Sequence, residues 1–431
     1  RLLMRENGQE FVKEWTDFEV FAAERFSGDG AGFAVLSEAS SSPTQARLRD
    51  ALVGEKTGAS WYEYEPLSRD NEREGTRLVF GSALRAHADL ANAAVVACFD
   101  ADPLFDHPAS LRLAREFGAA RNPESGAGAR LYSAESSFSL TGARADHRLA
   151  VPSSRVPAVL ARVVHELVAD HGLVLPAAAA GFAGSVKDSV SESESHWVKI
   201  LAKDLIENRG RGVILVGPRQ APAVHALAAV LNHVLGAVGS TLSYTSDPEP
   251  DRASHFEAIS ELAARMRQGE IETLVILGGN PAFNAPGDLG FSELLASVPV
   301  TIHLSLYDDE TSRRCTWHLP RAHTLESWGD GAAWDGTLTM RQPLIEPLYG
   351  GRTPIELLAL IRGEGATPGN ELVKQTISGY RPDLASGNGW RKLLHDGLAE
   401  GSAAAPVVPK PLPSALAGAV DGFRALLDGA E

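Results

Sequence analysis

The stretch Thr273-Leu274-Val275-Ile276-Leu277-Gly278-Gly279-Asn280-Pro281 sets the plan of this chain. Five apolar or β-branched residues without polar alternation suit a strand buried on both faces, the pattern of a parallel sheet. The glycine pair and Asn-Pro then stop the strand and turn the chain. Runs of the same kind occur at residues 32–38 (GFAVLSE), 60–65 (SWYEYE), 94–100 (AVVACFD) and 130–135 (RLYSAE), then at 212–217 (GVILVG), 241–245 (TLSYT) and 300–306 (VTIHLSL). Amphipathic stretches at 44–52, 110–117, 156–170, 223–235, 253–268 and 291–296 read as helices between them. Strands alternating with helices predict an α/β fold with mostly parallel sheets.

The runs fall into two sets with a spacing near 180 residues. Gly32 matches Gly212, Pro43 matches Pro222, Tyr64 matches Tyr244 and Pro103 matches Pro281. Each set closes alike, with Asp146–Pro152 (DHRLAVP) in the first and Thr316–Pro320 (TWHLP) in the second. The spacing shortens there because a Gly-rich stretch, 121–129 (RNPESGAGA), is present only in the first set. This pattern reads as an internal duplication of one doubly wound unit. The expected layout is two tandem doubly wound sheets: a first Rossmann-like domain at 1–185, a second at 186–365, and a C-terminal extension and linker arm at 366–431. Within that arm, 403–413 (AAAPVVPKPLP) reads as extended chain.

The 431 residues suffice for two or three domains, and 44% hydrophobic with 22% charged residues is ordinary for a globular protein. A net charge of -15 offers no basic surface for nucleic acid. Two cysteines, Cys98 and Cys315, are too few to hold an iron–sulfur cluster or a four-cysteine zinc site. No apolar run is long enough to span a membrane. The first residue is Arg1 rather than Met, so a longer parent chain is expected.

In a doubly wound sheet, ligands bind outside the carboxyl ends of the strands. Gly278, Gly279, Asn280 and Pro281 are therefore the candidate cofactor-binding residues: paired glycines admit close approach, and Asn280 can bond a ligand or its own turn. The matching loop, Asp100-Ala101-Asp102-Pro103, lacks the glycines and carries two carboxylates, which repel phosphate. No P-loop, G-x-G-x-x-G, G-x-S-x-G or HExxH motif occurs. Asp308-Asp309-Glu310-Thr311 reads as a helix start, and His303, His318 and His323 read as hydrogen-bonded histidines rather than metal ligands. No catalytic residue and no metal ligand is assigned.

The stretch from Tyr307-Asp308-Asp309-Glu310-Thr311 through Trp317-His318-Leu319-Pro320, Glu326-Ser327-Trp328-Gly329-Asp330, Asp335-Gly336-Thr337 and Gln342-Pro343-Leu344-Ile345 resembles the third domain of the molybdopterin oxidoreductase superfamily. Gly278-Gly279-Asn280-Pro281 resembles that family's Gly-x-Asn-Pro loop, which faces the guanosine end of a pyranopterin. The strings 64–71 (YEPLSRDN), 139–149 (SLTGARADHRL), 304–311 (LSLYDDET) and 347–352 (PLYGGR) look like the large iron–sulfur subunit of alternative complex III, a quinol-oxidising respiratory complex.

That resemblance covers most of 30–400 and implies domains of the family's second and third type. The family's metal-ligating Ser, Cys or Asp and its Cys-rich loop have no counterpart here, and Asp100–Pro103 replaces the first Gly-x-Asn-Pro. The resemblance therefore implies a cofactor-free scaffold with vestigial loop residues, on the periplasmic side of the membrane. Iron–sulfur clusters would lie in a following domain, and partners would be that cluster domain with haem-c and integral membrane subunits. The alternative is a fragment of an active molybdenum or tungsten enzyme holding molybdopterin guanine dinucleotide.

Overall fold

The computed structural model describes every residue except 123, 125–127, 186–190 and 430–431. Part of the Gly-rich stretch 121–129 and the expected boundary at 185/186 thus lie outside the described residues. The strands are β1 (Leu3–Glu6), β2 (Gln9–Val12), β3 (Phe33–Ser37), β4 (Ser60–Glu63), β5 (Leu84–Ala88), β6 (Val95–Phe99), β7 (Arg130–Glu135), β8 (His147–Ala150), β9 (Gly212–Val216), β10 (Leu242–Ser246), β11 (Thr273–Leu277), β12 (Val300–Ser305), β13 (Trp317–Pro320), β14 (Gly329–Ala332) and β15 (Leu338–Arg341). The fold is α/β with mostly parallel sheets, as the alternation predicts.

The expected tandem layout needs correction. The chain forms two compact units, and both are interleaved: unit 1 is 1–67 with 253–403, and unit 2 is 68–252 with 404–431. Unit 1 holds a seven-stranded sheet of order β2-β1-β13-β12-β11-β3-β4. Unit 2 holds a four-stranded sheet of order β8-β7-β6-β9 and the ribbon β10-β5. The reason lies in strand pairing. β11 pairs in parallel with β3, Thr273 opposite Phe33, while β6 pairs in parallel with β9, Val95 opposite Gly212. Each unit thus combines the opening strands of one half with the later strands of the other.

The repeat survives in the register. β11 meets β12 with Thr273 opposite Val300, and β6 meets β7 with Val95 opposite Arg130. β12 meets β13 from Ile302 and Trp317 onward, and β7 meets β8 from Tyr132 and His147 onward. Identical pairing in both units identifies the exchanged strands as equivalents: β3 with β9, β6 with β11, β7 with β12, and β8 with β13.

In unit 1 the sheet alternates between two cores. Phe33, Val35, Val275, Leu277, Ile302 and Leu304 face one, and Ala34, Leu36, Leu274 and Ile276 face the other. A run apolar at every position is what burial on both faces requires. Helix Trp15–Arg25 sends Phe18 against Trp317, ring centroids 5.3 Å apart. The region past residue 365 is not a plain arm. Helices Gly369–Tyr380 and Gly387–Asp396 bury Leu372, Val373, Ile377 and Leu393 in unit 1. Residues 404–431 belong to unit 2, where helix Pro413–Asp428 buries Leu416, Ala419, Val420 and Phe423. Of the stretch 403–413, the part before helix Pro413–Asp428 is extended, and it is docked: the Val407 amide donates to Tyr244 O at 2.7 Å and that of Leu412 to Val79 O at 2.8 Å.

Helix Asp70–Phe80 packs on helix Pro222–Val234 through Gly75, where an added Cβ would stand 2.4 Å from His225 Cβ and 2.9 Å from Pro222 O. Gly to Ala in an open helix stabilises by about 0.5–1 kcal/mol. Here the sign reverses: Gly75→Ala is expected to lower stability by about 1–3 kcal/mol through overpacking, measured by urea unfolding.

Candidate functional site

Each unit has its topological switch point between two paired strands. In unit 1 the chain leaves β3 for β4 on one side and β11 for β12 and β13 on the other, so a crevice opens at the carboxyl ends of β3 and β11. The four candidate residues lie there. Gly278, Gly279, Asn280 and Pro281 line a cavity of about 110 Å³ with Leu36, Ser37, Glu38, Tyr64, Glu65, Pro66 and Asn284.

The glycines are needed by the backbone. Gly278 has φ +81° and Gly279 φ +68°, which side chains rarely adopt. A Cβ at Gly278 would meet Glu38 Oε2 at 2.2 Å and Arg321 Nη1 at 2.3 Å. The space left by Gly278 is therefore filled by this chain's own ion pair, in which Arg321 Nη1 donates to Glu38 Oε2 at 2.7 Å.

Asn280 is engaged as well. Its Oδ1 accepts from the Thr311 amide at 3.2 Å and the Thr311 hydroxyl at 2.7 Å, and its Nδ2 donates to Glu310 at 2.7 Å. Thr311 Oγ in turn accepts from the Ala282 amide at 3.0 Å. Asn280 thus clasps its loop to the turn after β12, and Pro281 opens a one-turn helix, Pro281–Asn284. The expected helix at Asp308–Thr311 shortens to the 3₁₀ turn Ser312–Arg314, with Asp309 Oδ1 accepting from the Ser312 amide at 2.9 Å.

A buried relay fixes the second glycine. His303 Nε2 lies 3.1 Å from Gly279 O, a partner that can only accept, so this nitrogen carries the proton. His303 Nδ1 then accepts from Ser312 Oγ at 2.8 Å, leaving that oxygen to accept from His318 Nδ1 at 2.8 Å. Burial holds His303 below the ordinary histidine value. Burial, with His303 nearby, lowers His318 to about 4. His323 caps the turn Thr324–Glu326. Among the described residues no group of three or more His, Cys, Asp or Glu could hold a metal.

Unit 2 builds the same loop from different residues. Asp100 occupies the place of Gly278 with φ +54°. Asp tolerates this region when its side chain is held locally. Its carboxylate accepts from the Ser136 amide and hydroxyl at 3.2 Å each, from Ser153 Oγ, and from Gln220 Nε2 at 3.0 Å. Burial alone would raise its pKa, but these hydrogen bonds outweigh it and the net shift is downward. Asp102 takes the place of Asn280: its Oδ1 accepts from the Thr141 amide at 3.1 Å and hydroxyl at 2.5 Å, and Thr141 Oγ accepts from the Leu104 amide at 3.3 Å. Beside it lies a cavity of about 90 Å³, whose lining includes Arg69, Asp102, His107, Ile214, His225 and Tyr244.

The alternative that the resemblance leaves is molybdopterin guanine dinucleotide at these strand ends, and the residues lining the two cavities do not fit one. Pockets for such ligands hold about 300–1,000 Å³. The wall in unit 1 also presents acceptors: Glu38, Glu65 and Asn284 Oδ1, which is buried without a hydrogen-bond partner. Burial, with Glu38 nearby, raises the Glu65 pKa. Phosphate oxygens need donors, and this wall repels them.

No family model and no curated protein matches the chain. Among solved structures it resembles acetylene hydratase from Pelobacter acetylenicus with a TM-score of 0.64 at 12% identity, over 84% of this chain and 61% of that one. It also resembles a chain of the formyltransferase/hydrolase complex FhcABCD from Methylorubrum extorquens, solved with methylofuran, with a TM-score of 0.53 at 14% identity, over 88% of this chain and 100% of that one. The chain thus spans about three fifths of the length of acetylene hydratase. Likeness at such identities shows fold alone, an α/β fold shared with these two structures.

The two clasps differ in charge, which separates their energies. Thr311→Val is expected to cost about 0.5–1.5 kcal/mol, and Thr141→Val about 1.5–3 kcal/mol because its partner is a carboxylate, both measured by urea unfolding. Depressed histidine pKa values give a second expectation. Above pH 6.5 the relay's contribution is fully present; as pH falls from 6.5 toward about 4 the unfolded chain takes up protons that His303 and His318 refuse, and stability drops. The urea midpoint is expected to fall across that window, less so in His318→Asn.

Proposed function

We propose that this chain is a cofactor-free scaffold domain of a membrane-associated quinol:electron-acceptor oxidoreductase of the alternative complex III type. The observation that carries the reading is the Glu38–Arg321 ion pair filling the space beside Gly278, where a bound cofactor would need to approach. The clasps at Asn280 and Asp102 point the same way, since both side chains bond their own loops. On this reading Gly278, Gly279, Asn280 and Pro281 are the remains of a cofactor loop, retained because the backbone still needs them.

A scaffold works through its outer surface. Leu344, Ile345, Leu348 and Tyr349 stand exposed on one loop of unit 1, from 51% to 79%, beside the 52% exposed Leu325. This reading assigns these exposed apolar side chains to a surface that another chain covers. Its partners on this reading are the iron–sulfur cluster domain, the haem-c subunits and the integral membrane subunits, on the periplasmic side of the membrane. On this reading attachment to the membrane is through those partners; no helix among the described residues is long and apolar enough to cross a membrane.

Metal analysis of the purified complex tests the cofactor-free reading. Less than one-tenth equivalent of molybdenum or tungsten per chain is expected, about the background of incidental binding; one equivalent assigned to this domain would overturn it. Leu344→Lys with Leu348→Lys is expected to leave the domain's stability within about 0.5 kcal/mol, as for exposed positions, while reducing its recovery with the assembled complex.

A further inference from the structure

We infer that the glycine face of the hairpin β14–β15 in unit 1 is a binding site for a phosphate group, free or carried on a small molecule, held by Arg341 with Ser41 and Arg321. Strand alternation puts Gly329, Gly331, Thr339 and Arg341 on this face, with Gly329 opposite Arg341 and Gly331 opposite Thr339. The other face carries Leu338 and Met340, which pack on the core, and Asp330, whose carboxylate accepts from the Ser42 and Thr44 hydroxyls. The two glycines leave their own face bare of side chains. The Arg341 guanidinium lies in the place of one: a Cβ at Gly329 would stand 2.3 Å from its Nη2. Ser41 borders the other, its Oγ 3.3 Å from the Cβ position of Gly331. Ser41 is fixed there by the Ala332 amide, which donates to its carbonyl at 2.8 Å.

Arg341 makes no ion pair and no side-chain hydrogen bond among the described residues, and of its nitrogens only Nε is closed to solvent. The Ser41 hydroxyl is exposed and equally uncommitted. A half-buried guanidinium laid on a glycine, with open donors and no carboxylate bound to it, suits an anion. Burial lowers its pKa and nearby Arg321 lowers it further, against the opposing pull of Asp330. Arg321 bonds Glu38 through Nη1 alone, so a second set of donors stands close by. Spacing sets the size of the ligand. Gly329 and Gly331 are two strand residues apart, about 6.6 Å. Hydrogen bonds of about 2.9 Å from the guanidinium and about 2.7 Å from the hydroxyl bridge that span with one tetrahedral oxyanion between them. A carboxylate is satisfied by a single guanidinium fork, whereas a phosphate has further oxygens for Ser41 and Arg321. None of Ser41, Gly329, Gly331, Thr339 and Arg341 lines the strand-end cavity, so the site is independent of whether that loop once held a cofactor.

The test is titration of the whole chain with inorganic phosphate, phenyl phosphate and acetate at constant ionic strength in chloride, followed by calorimetry and amide resonances. Inorganic phosphate is expected to bind saturably with a Kd of about 0.1–10 mM, at least about tenfold tighter than acetate, and to shift the amides of Ser41 and of 329–341. Binding of phenyl phosphate with the same shifts assigns the site to phosphate esters as well, and its exclusion assigns it to the free anion. Arg341→Gln is expected to weaken phosphate at least about tenfold, and Ser41→Ala, at an exposed hydroxyl that bonds nothing in the fold, about three- to tenfold. No saturable binding of inorganic phosphate by the unmodified chain, acetate binding as tight as phosphate, or an unchanged Kd in Ser41→Ala would overturn the assignment, whether or not Arg341→Gln folds.

Discussion

The parallel pairing of β3 with β11, matched by that of β9 with β6, is the constraint on which the remaining architecture depends. Both pairs join segments far apart in the chain, and each places two strand ends side by side at a switch point. Every feature of the candidate sites follows from that. Glu38 reaches Gly278 because β3 and β11 are neighbours, and Gly217 lies against Asp100 because β9 and β6 are. A Cβ on Gly217 would come within 1.9 Å of Asp100 O, so the turn after β9 must be glycine for the strands to end together.

The two units show how a duplicated frame tolerates different chemistry at equivalent points. One loop enters its left-handed turn with glycine and the other with aspartate braced by Ser136, Ser153 and Gln220. One clasp uses an amide and the other a carboxylate, yet both accept from a threonine amide and hydroxyl. The geometry is kept by hydrogen bonds rather than by residue identity. A loop motif is therefore a weak guide to what a loop binds: Asn280 keeps the family pattern, and its polar atoms are turned to Thr311 and Glu310.

Much of the fold was legible in sequence, because strands apolar at every position and their repeated spacing are local signals. Which strands pair was not legible, since parallel partners are chosen by packing across hundreds of residues. That is why interleaved units read as tandem ones. Helices at 369–396 were hidden by Gly, Pro and Ser around the buried Leu372, Val373, Ile377 and Leu393. At the site, the glycine loop was legible as a turn with room beside it. Its filling was not, because Arg321 and Glu38 are 283 positions apart. The left-handed Asp100 gave no signal, as aspartate in a turn has many conformations open to it.

The interleaving has a consequence for biosynthesis. As the chain leaves the ribosome, β3 and β4 emerge long before β11 can join them, and β6, β7 and β8 wait for β9. Unit 2 also awaits helix Pro413–Asp428, which covers part of its core after unit 1 has been threaded between. Neither unit can close as an early, self-sufficient domain, so open sheet edges persist through most of translation. Until their own partners arrive, such edges are open to pairing with a neighbouring chain.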